Sequence, residues 1–209
     1  MAIRPIRVLG EPGDEVLRQT AAAVTAIDGA VQTLIDDMLE TMRDAPGVGL
    51  AAPQVGVPLR IVVIGTPEVP AFALINGEVV RHSGQRWVEE GCLSIPGYRG
   101  ELFRSVRVTV KGLDRQGRPI RIRAVDDLLA QALEHEIDHT NGLLFVDLLS
   151  GPEHLHRKGD EPDDEAGADE PEDEAAETAP VYDGRRRRRG RAPRFTTRSS
   201  RLRTLAAVR

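Results

Sequence analysis

The stretch from Asp126 to Gly142, DDLLAQALEHEIDHTNG, decides the fold. Its apolar residues recur at helical spacing, and Gly142 suits a left-handed C-terminal cap. The spacing therefore predicts a helix beginning near 126 and ending at 142. With Leu128 as the origin of the helical wheel, Ala132 falls at about 40°, Leu129 at about 100°, Leu133 at about 140° and Ile137 at about 180°. Asp127, Glu134 and Asp138 gather at about 240–280°, so only a narrow strip is expected to face water. A helix that is apolar over most of its circumference is a central one, packed against a sheet.

The sheet is sought upstream. Arg60-Ile-Val-Val-Ile64, Phe72-Ala-Leu-Ile75, Val106-Arg-Val-Thr-Val110 and Ile120-Arg-Ile-Arg-Ala-Val125 are short, rich in β-branched residues and separated by Gly and Pro. They read as strands of a largely antiparallel sheet, with Gly112–Gly117 as a hairpin connection. Val31, Leu34, Ile35, Met38, Leu39 and Met42 form one apolar stripe at helical spacing, capped by Asp28 and stopped by Pro46. The fold class is α+β, with antiparallel sheets packed around a central helix that carries an H-E-x-x-H motif.

That motif is His135-Glu136-Ile137-Asp138-His139. The two histidines lie at about −20° and +20° on the wheel, so both imidazoles leave one face and converge on one point. Glu136, at about 80°, reaches the edge of that face, where a carboxylate can act on a water beside a metal. The competing reading is a buried helix with two incidental histidines. Catalytic ions usually take three protein ligands, and the best remaining donor is Cys92, in Glu90-Gly-Cys-Leu-Ser94. A buried cysteine acting only as a small hydrophobe is the alternative. Glu90 reads either as an acceptor for a ligand-histidine N–H or as a turn residue. Gly47-Val-Gly-Leu-Ala-Ala-Pro-Gln54 lacks the Lys and Ser/Thr of a phosphate loop, but its small residues admit a ligand and Gln54 offers an amide toward an oxyanion.

These three segments, in this order, resemble the peptide deformylase family, whose pattern is G-x-G-L-A-A-x-Q, then E-G-C-x-S, then Q-H-E-x-D-H. The resemblance covers about residues 5–150. It implies a metal-dependent hydrolase that removes the N-formyl group from the N-terminal formyl-methionine of new proteins and releases formate. Residue by residue, it implies Cys92, His135 and His139 as metal ligands and Glu136 as the catalytic carboxylate. Gln54 is the implied side-chain donor, and Leu93 supplies the backbone N–H that completes an oxyanion hole. Val48, Gly49, Leu128 and Ala132 are candidates for substrate binding, the methionine slot included, and Arg99 for holding the peptide backbone. The family metal is usually Fe²⁺, with Zn²⁺, Ni²⁺ or Co²⁺ able to replace it. The chain departs from the pattern at Glu134, where Gln is frequent, and at Thr140, where Leu usually follows. Glu134 is expected on the solvent strip, and Thr140 is expected to loosen packing slightly behind the motif helix.

The whole chain of 209 residues carries a formal charge of −5, but unevenly. Residues 1–150 hold −5, residues 151–182 hold −10 and residues 183–209 hold +10. The expected organisation is a catalytic domain over 1–150 and a disordered tail over 151–209, acidic over 151–182 and Arg-rich over 183–209. Arg185-Arg-Arg-Arg-Arg189 would bind phosphate nonspecifically, so ribosomal RNA is a candidate partner beside formyl-Met nascent peptides; two solvated blocks that attract one another are the competing reading. No run of about 18 apolar residues occurs, and the first residues lack a signal-peptide core, so a cytoplasmic protein without a membrane partner is expected. Cys92 is the single cysteine, which excludes an internal disulfide. Only Lys111 and Lys158 are lysines, a bias read as base composition rather than function. The alternatives to the deformylase reading are an H-E-x-x-H zinc metallopeptidase, which needs a third ligand downstream, and a nucleic-acid-binding protein working through the Arg-rich tail.

Overall fold

Helix α1 (Gly29–Asp44) forms where its stripe demands. The Asp28 side chain accepts from the Val31 N–H at 2.9 Å, Val31, Leu34, Ile35, Met38 and Met42 are buried, and the helix stops at Ala45, before Pro46. The structure, a computed structural model, describes residues 2–159; the expectations for 160–209 lie outside the described residues.

Eight strands follow the helical and turn segments: β1 (Gly49–Ala51), β2 (Ile61–Thr66), β3 (Val69–Ser83), β4 (Arg86–Cys92), β5 (Ile95–Arg104), β6 (Arg107–Leu113), β7 (Pro119–Val125) and β8 (Leu155–Arg157). Helix α2 (Leu128–Thr140) lies between β7 and β8 in the chain. The strands make two antiparallel sheets, one ordered β1-β2-β3-β6-β7 and one ordered β4-β5-β8. The α+β class is therefore correct. The expected hairpin joins β6 to β7, with Gly117 at φ +78° and its N–H donating to the Asp114 carbonyl at 2.9 Å.

The unbroken apolar run of β2 has a physical reason. Ile61 and Val63 pack with α1, while Val62 and Ile64 pack with Ala130, Ala132, Leu133 and Ile137 of α2. Successive side chains point to opposite faces of a strand, so α1 and α2 cover the two faces of the five-stranded sheet. A strand buried on both faces has no use for polar alternation.

Several expectations need correction. The observed α2 is two residues shorter at each end; Asp127 caps its start, accepting from the Ala130 N–H at 2.7 Å, and Asn141 caps its end. Strands β1, β4, β5 and β8 carry no clear alternating signal and were not expected. β4 and β5 contain Gly, Pro and charges, and form because they pair with each other in register, Trp87 opposite Phe103 and Glu90 opposite Gly100. Residues 152–154 form a turn of 3-10 helix, and Leu155–Arg157 add as a strand to the free edge of β5, where backbone pairing replaces the missing apolar content.

Two of the three residues of the polar strip of α2, Glu134 and Asp138, are half-buried against other chain segments, while Asp127 is exposed. Glu134 accepts from the Ser105 N–H at 2.9 Å and hydroxyl at 2.7 Å, and Asp138 accepts from Arg104 Nη1 at 2.6 Å. The strip instead ties the helix to the end of β5. Thr140 is buried without loosening anything, since its hydroxyl donates to the Ile137 carbonyl at 2.8 Å.

Candidate metal centre

Three chain segments meet at one point. Cys92 ends β4, just before the turn into β5, and His135 and His139 lie one helical turn apart on α2. One ligand-type atom from each lies within 4.8 Å of the other two, and Cys92 Sγ is 3.2 Å from His139 Nε2. This is the group among the described residues able to hold a metal ion. His154 and His156 stay apart from it, beside Glu101 at 3.8 Å and 4.0 Å, so the downstream ligand of a metallopeptidase is not supplied by them.

The histidine tautomer is set from behind. Glu90 Oε2 lies 2.8 Å from His135 Nδ1, which leaves Nε2 for the centre. Glu90 is itself held by Arg104, whose Nε reaches Oε1 at 2.8 Å and whose Nη2 reaches Oε2 at 3.0 Å. Burial alone would raise the Glu90 pKa, but the hydrogen bonds and charges of His135 and Arg104 bring it down to about 2. Of the two readings of Glu90, the structure supports the acceptor.

The electrostatics fit a cation. Burial disfavours a charged His135, yet Cys92, Glu90 and Glu136 hold its pKa well above the usual value, a measure of the negative field converging there. Burial and the neighbouring His135 push His139 well below the usual value, so its imidazole is neutral, as a ligand must be. Burial pushes the Glu136 carboxyl up to about 7. Glu136 Oε2 and His139 Nδ1 are both buried without a hydrogen-bond partner among the described residues. A cysteine sulfur, two imidazoles and a carboxyl group with an unpartnered oxygen together form a set that suits a catalytic divalent ion.

In front of this group lies a cavity of about 390 Å³, lined by Cys92, His135 and Glu136 at its metal end. All five expected substrate-binding residues line it: Val48, Gly49, Arg99, Leu128 and Ala132, together with Gln54 and Leu93. Gly49 has a sharper task than proximity to substrate. A Cβ there would lie 2.7 Å from the Glu136 carboxyl carbon, so only glycine lets β1 pass beside that carboxylate. Gln54 is buried; its Oε1 accepts from the Ala51 N–H at 2.8 Å, and its Nε2 donates to Ser94 Oγ at 3.2 Å and toward Cys92 Sγ at 3.6 Å. The amide is thus locked with its nitrogen facing the centre. Leu93 lies in the turn between β4 and β5. Sequence reasoning missed Arg104 and Asp138 as supports of the centre, and Gly47, Tyr98 and Lys158 as lining. Arg104, Tyr98 and Lys158 have no motif signal, while Gly47 and Asp138 lie within the quoted motifs but owe these contacts to tertiary packing.

Residues 3–154 match the family profile described as polypeptide deformylase. The chain belongs to that family. A peptide deformylase of Dehalococcoides mccartyi strain CBDB1 is 56% identical over 166 residues, which are 79% of this chain and 96% of that one. The crystal structure of a peptide deformylase from Legionella pneumophila matches with a TM-score of 0.67 at 50% identity, over 71% of this chain and 87% of the other. A peptide deformylase from Synechococcus elongatus, solved in complex with actinonin, matches with a TM-score of 0.67 at 43% identity, over 71% of this chain and 80% of the other. Membership makes this deformylase an enzyme and a metal-dependent one, and neither the metallopeptidase nor the nucleic-acid reading is favoured. No helix among its described residues is long and apolar enough to cross a membrane.

Proposed function

We propose that the chain hydrolyses the N-formyl group of formyl-methionine at the start of nascent peptides, releasing formate, with Cys92, His135 and His139 as metal ligands. The observation that supports this best is the convergence of those three side chains beside the buried Glu136, with Cys92, His135 and Glu136 lining one cavity. When bound, a divalent ion supplies Lewis acidity and lowers the pKa of water from 15.7 toward about 7. Glu136 takes a proton from the attacking water, whose oxygen adds to the formyl carbon. The Gln54 amide and the Leu93 N–H donate to the oxygen on which charge develops. As the C–N bond breaks, Glu136 returns its proton to the nitrogen, so the products are formate and a free amine. A carboxyl whose pKa burial raises above the usual range holds and releases a proton more evenly, which suits both directions of transfer.

Val48, Leu128 and Ala132 are read as the slot for the methionine side chain, and Arg99 as a donor to the peptide backbone. Among ions, Fe²⁺ is the proposed resident, with Zn²⁺, Ni²⁺ or Co²⁺ as substitutes, because a mixed S,N,N set accepts all four. We read α2 as the central element of the domain and the cytoplasm as the site of action. The Arg-rich segment 183–209 is proposed to attract ribosomal RNA. Formate release from formyl-Met-Ala-Ser, with none of the acetylated analogue hydrolysed, tests the reaction. Equal turnover of the acetylated peptide would reject it. Ribosome co-sedimentation at low salt that is unchanged on deletion of 160–209 would reject the tether.

A further inference from the structure

Lys158 lines the same cavity, although 18 residues separate it from the motif helix. Its main chain is placed by β8: Tyr98 stands opposite Arg157, Arg99 opposite His156, and the Lys158 N–H donates to the Gly97 carbonyl at 2.8 Å. The backbone position thus owes nothing to the lysine side chain, which is exposed at the cavity mouth.

Three charged residues line the outer part of the cavity: Glu89, Arg99 and Lys158. Arg99 Nη1 donates to Glu89 Oε1 at 3.1 Å, so those two neutralise each other. Among the described residues Lys158 forms no ion pair, so within them it is a lining charge that no carboxylate offsets. Gly97, at φ +80°, has no heavy atom within 4 Å of where a side chain would sit, so there is open space beside the lysine. Cys92 and Glu136 line the same cavity as Lys158, so a peptide whose first residue lies against them has this lysine along the lining of its site.

We propose that Lys158 determines specificity by selecting substrates that carry a carboxylate downstream of the formyl-methionine. The inference rests on the deformylase reading for the identity of the substrate, and on the geometry of β8 for the placement of the charge. The contact is solvent-exposed, so its effect on selection is modest, roughly two- to fivefold for an exposed ion pair.

The test uses the full metal-loaded chain and formyl-Met tetrapeptides bearing a single Asp, or its uncharged isostere Asn, at the second, third or fourth position. At the position that meets Lys158, kcat/KM favours Asp over Asn by about two- to fivefold. That ratio falls to about one in Lys158→Ala, inverts in Lys158→Glu, is kept in Lys158→Arg and shrinks in high salt. Thermal unfolding is unchanged in all three, because the bond to Gly97 is main-chain. A ratio of one at every position in the parent chain, or an Asp preference that survives Lys158→Glu, overturns the proposal. Equilibrium titration of the deformylated peptides reads the same ratios without turnover. A chain that hydrolyses no formyl peptide fails as a deformylase, while the titration still decides the role of Lys158.

Discussion

Glu90 Oε2 and His135 Nδ1 lie 2.8 Å apart, and this contact joins the three-stranded sheet to the motif helix through the candidate metal centre. Glu90 sits at 3% exposure with Arg104 fixing both its oxygens, and Arg104 continues to Asp138 of the same helix. Orientation of a ligand therefore depends on a buried charge network spanning β4, β5 and α2. Glu90→Gln should lower metal affinity by about 10- to 100-fold with the fold intact, measured by competition with a chelator. Arg104→Leu takes the cation from the buried Glu90 and the half-buried Asp138 and should cost roughly 3–5 kcal/mol in denaturant unfolding.

The carboxyl of Glu136 makes stability depend on pH in a definite direction. Its pKa rises from 4.5 to about 7 on folding, so between those values the native state binds the proton that the unfolded chain has released. Stability then falls as pH rises through that window. Metal-free Glu136→Gln, which cannot ionise, should exceed the parent by on the order of 3 kcal/mol above about pH 8, and the gain should vanish below about pH 4. Urea unfolding across pH checks this; a gain that is constant with pH would show that Glu136 is not held neutral by burial. The same variant, loaded with metal, should lose nearly all formate release.

Replacing Cys92 by Ser exchanges a soft sulfur donor for a hard oxygen. Metal content after dialysis should drop well below that of the parent, and retention of full content and turnover would move the third ligand to another residue.

Gly49→Ala places a methyl group within 2.7 Å of the Glu136 carboxyl carbon. Either β1 or the carboxylate must shift, and displacement of a catalytic group by about 1 Å can cost on the order of 10²-fold in rate. Metal content should stay at the parent level while kcat falls, which separates this effect from damage to the ligands.

Much of the molecule was readable in the chain because some signals are local. The i, i+4 spacing of His135 and His139 aims both at one point once the segment is helical, and Asp28 and Gly142 mark helix ends through bonds or dihedrals made within a few residues. The β6–β7 hairpin likewise depends on its own turn residues. What the chain by itself did not determine is everything set by contacts across sequence. Glu134 and Asp138 look like a water-facing strip on a wheel, yet β5 arrives over them with Ser105 and Arg104. Strands β4, β5 and β8 have weak patterns of their own and exist through mutual pairing, which also brings Lys158 to the cavity mouth. Sequence spacing sets where a side chain points from its own element; only tertiary packing decides what it meets there, because burial, charge neutralisation and edge pairing all require a partner from elsewhere in the chain.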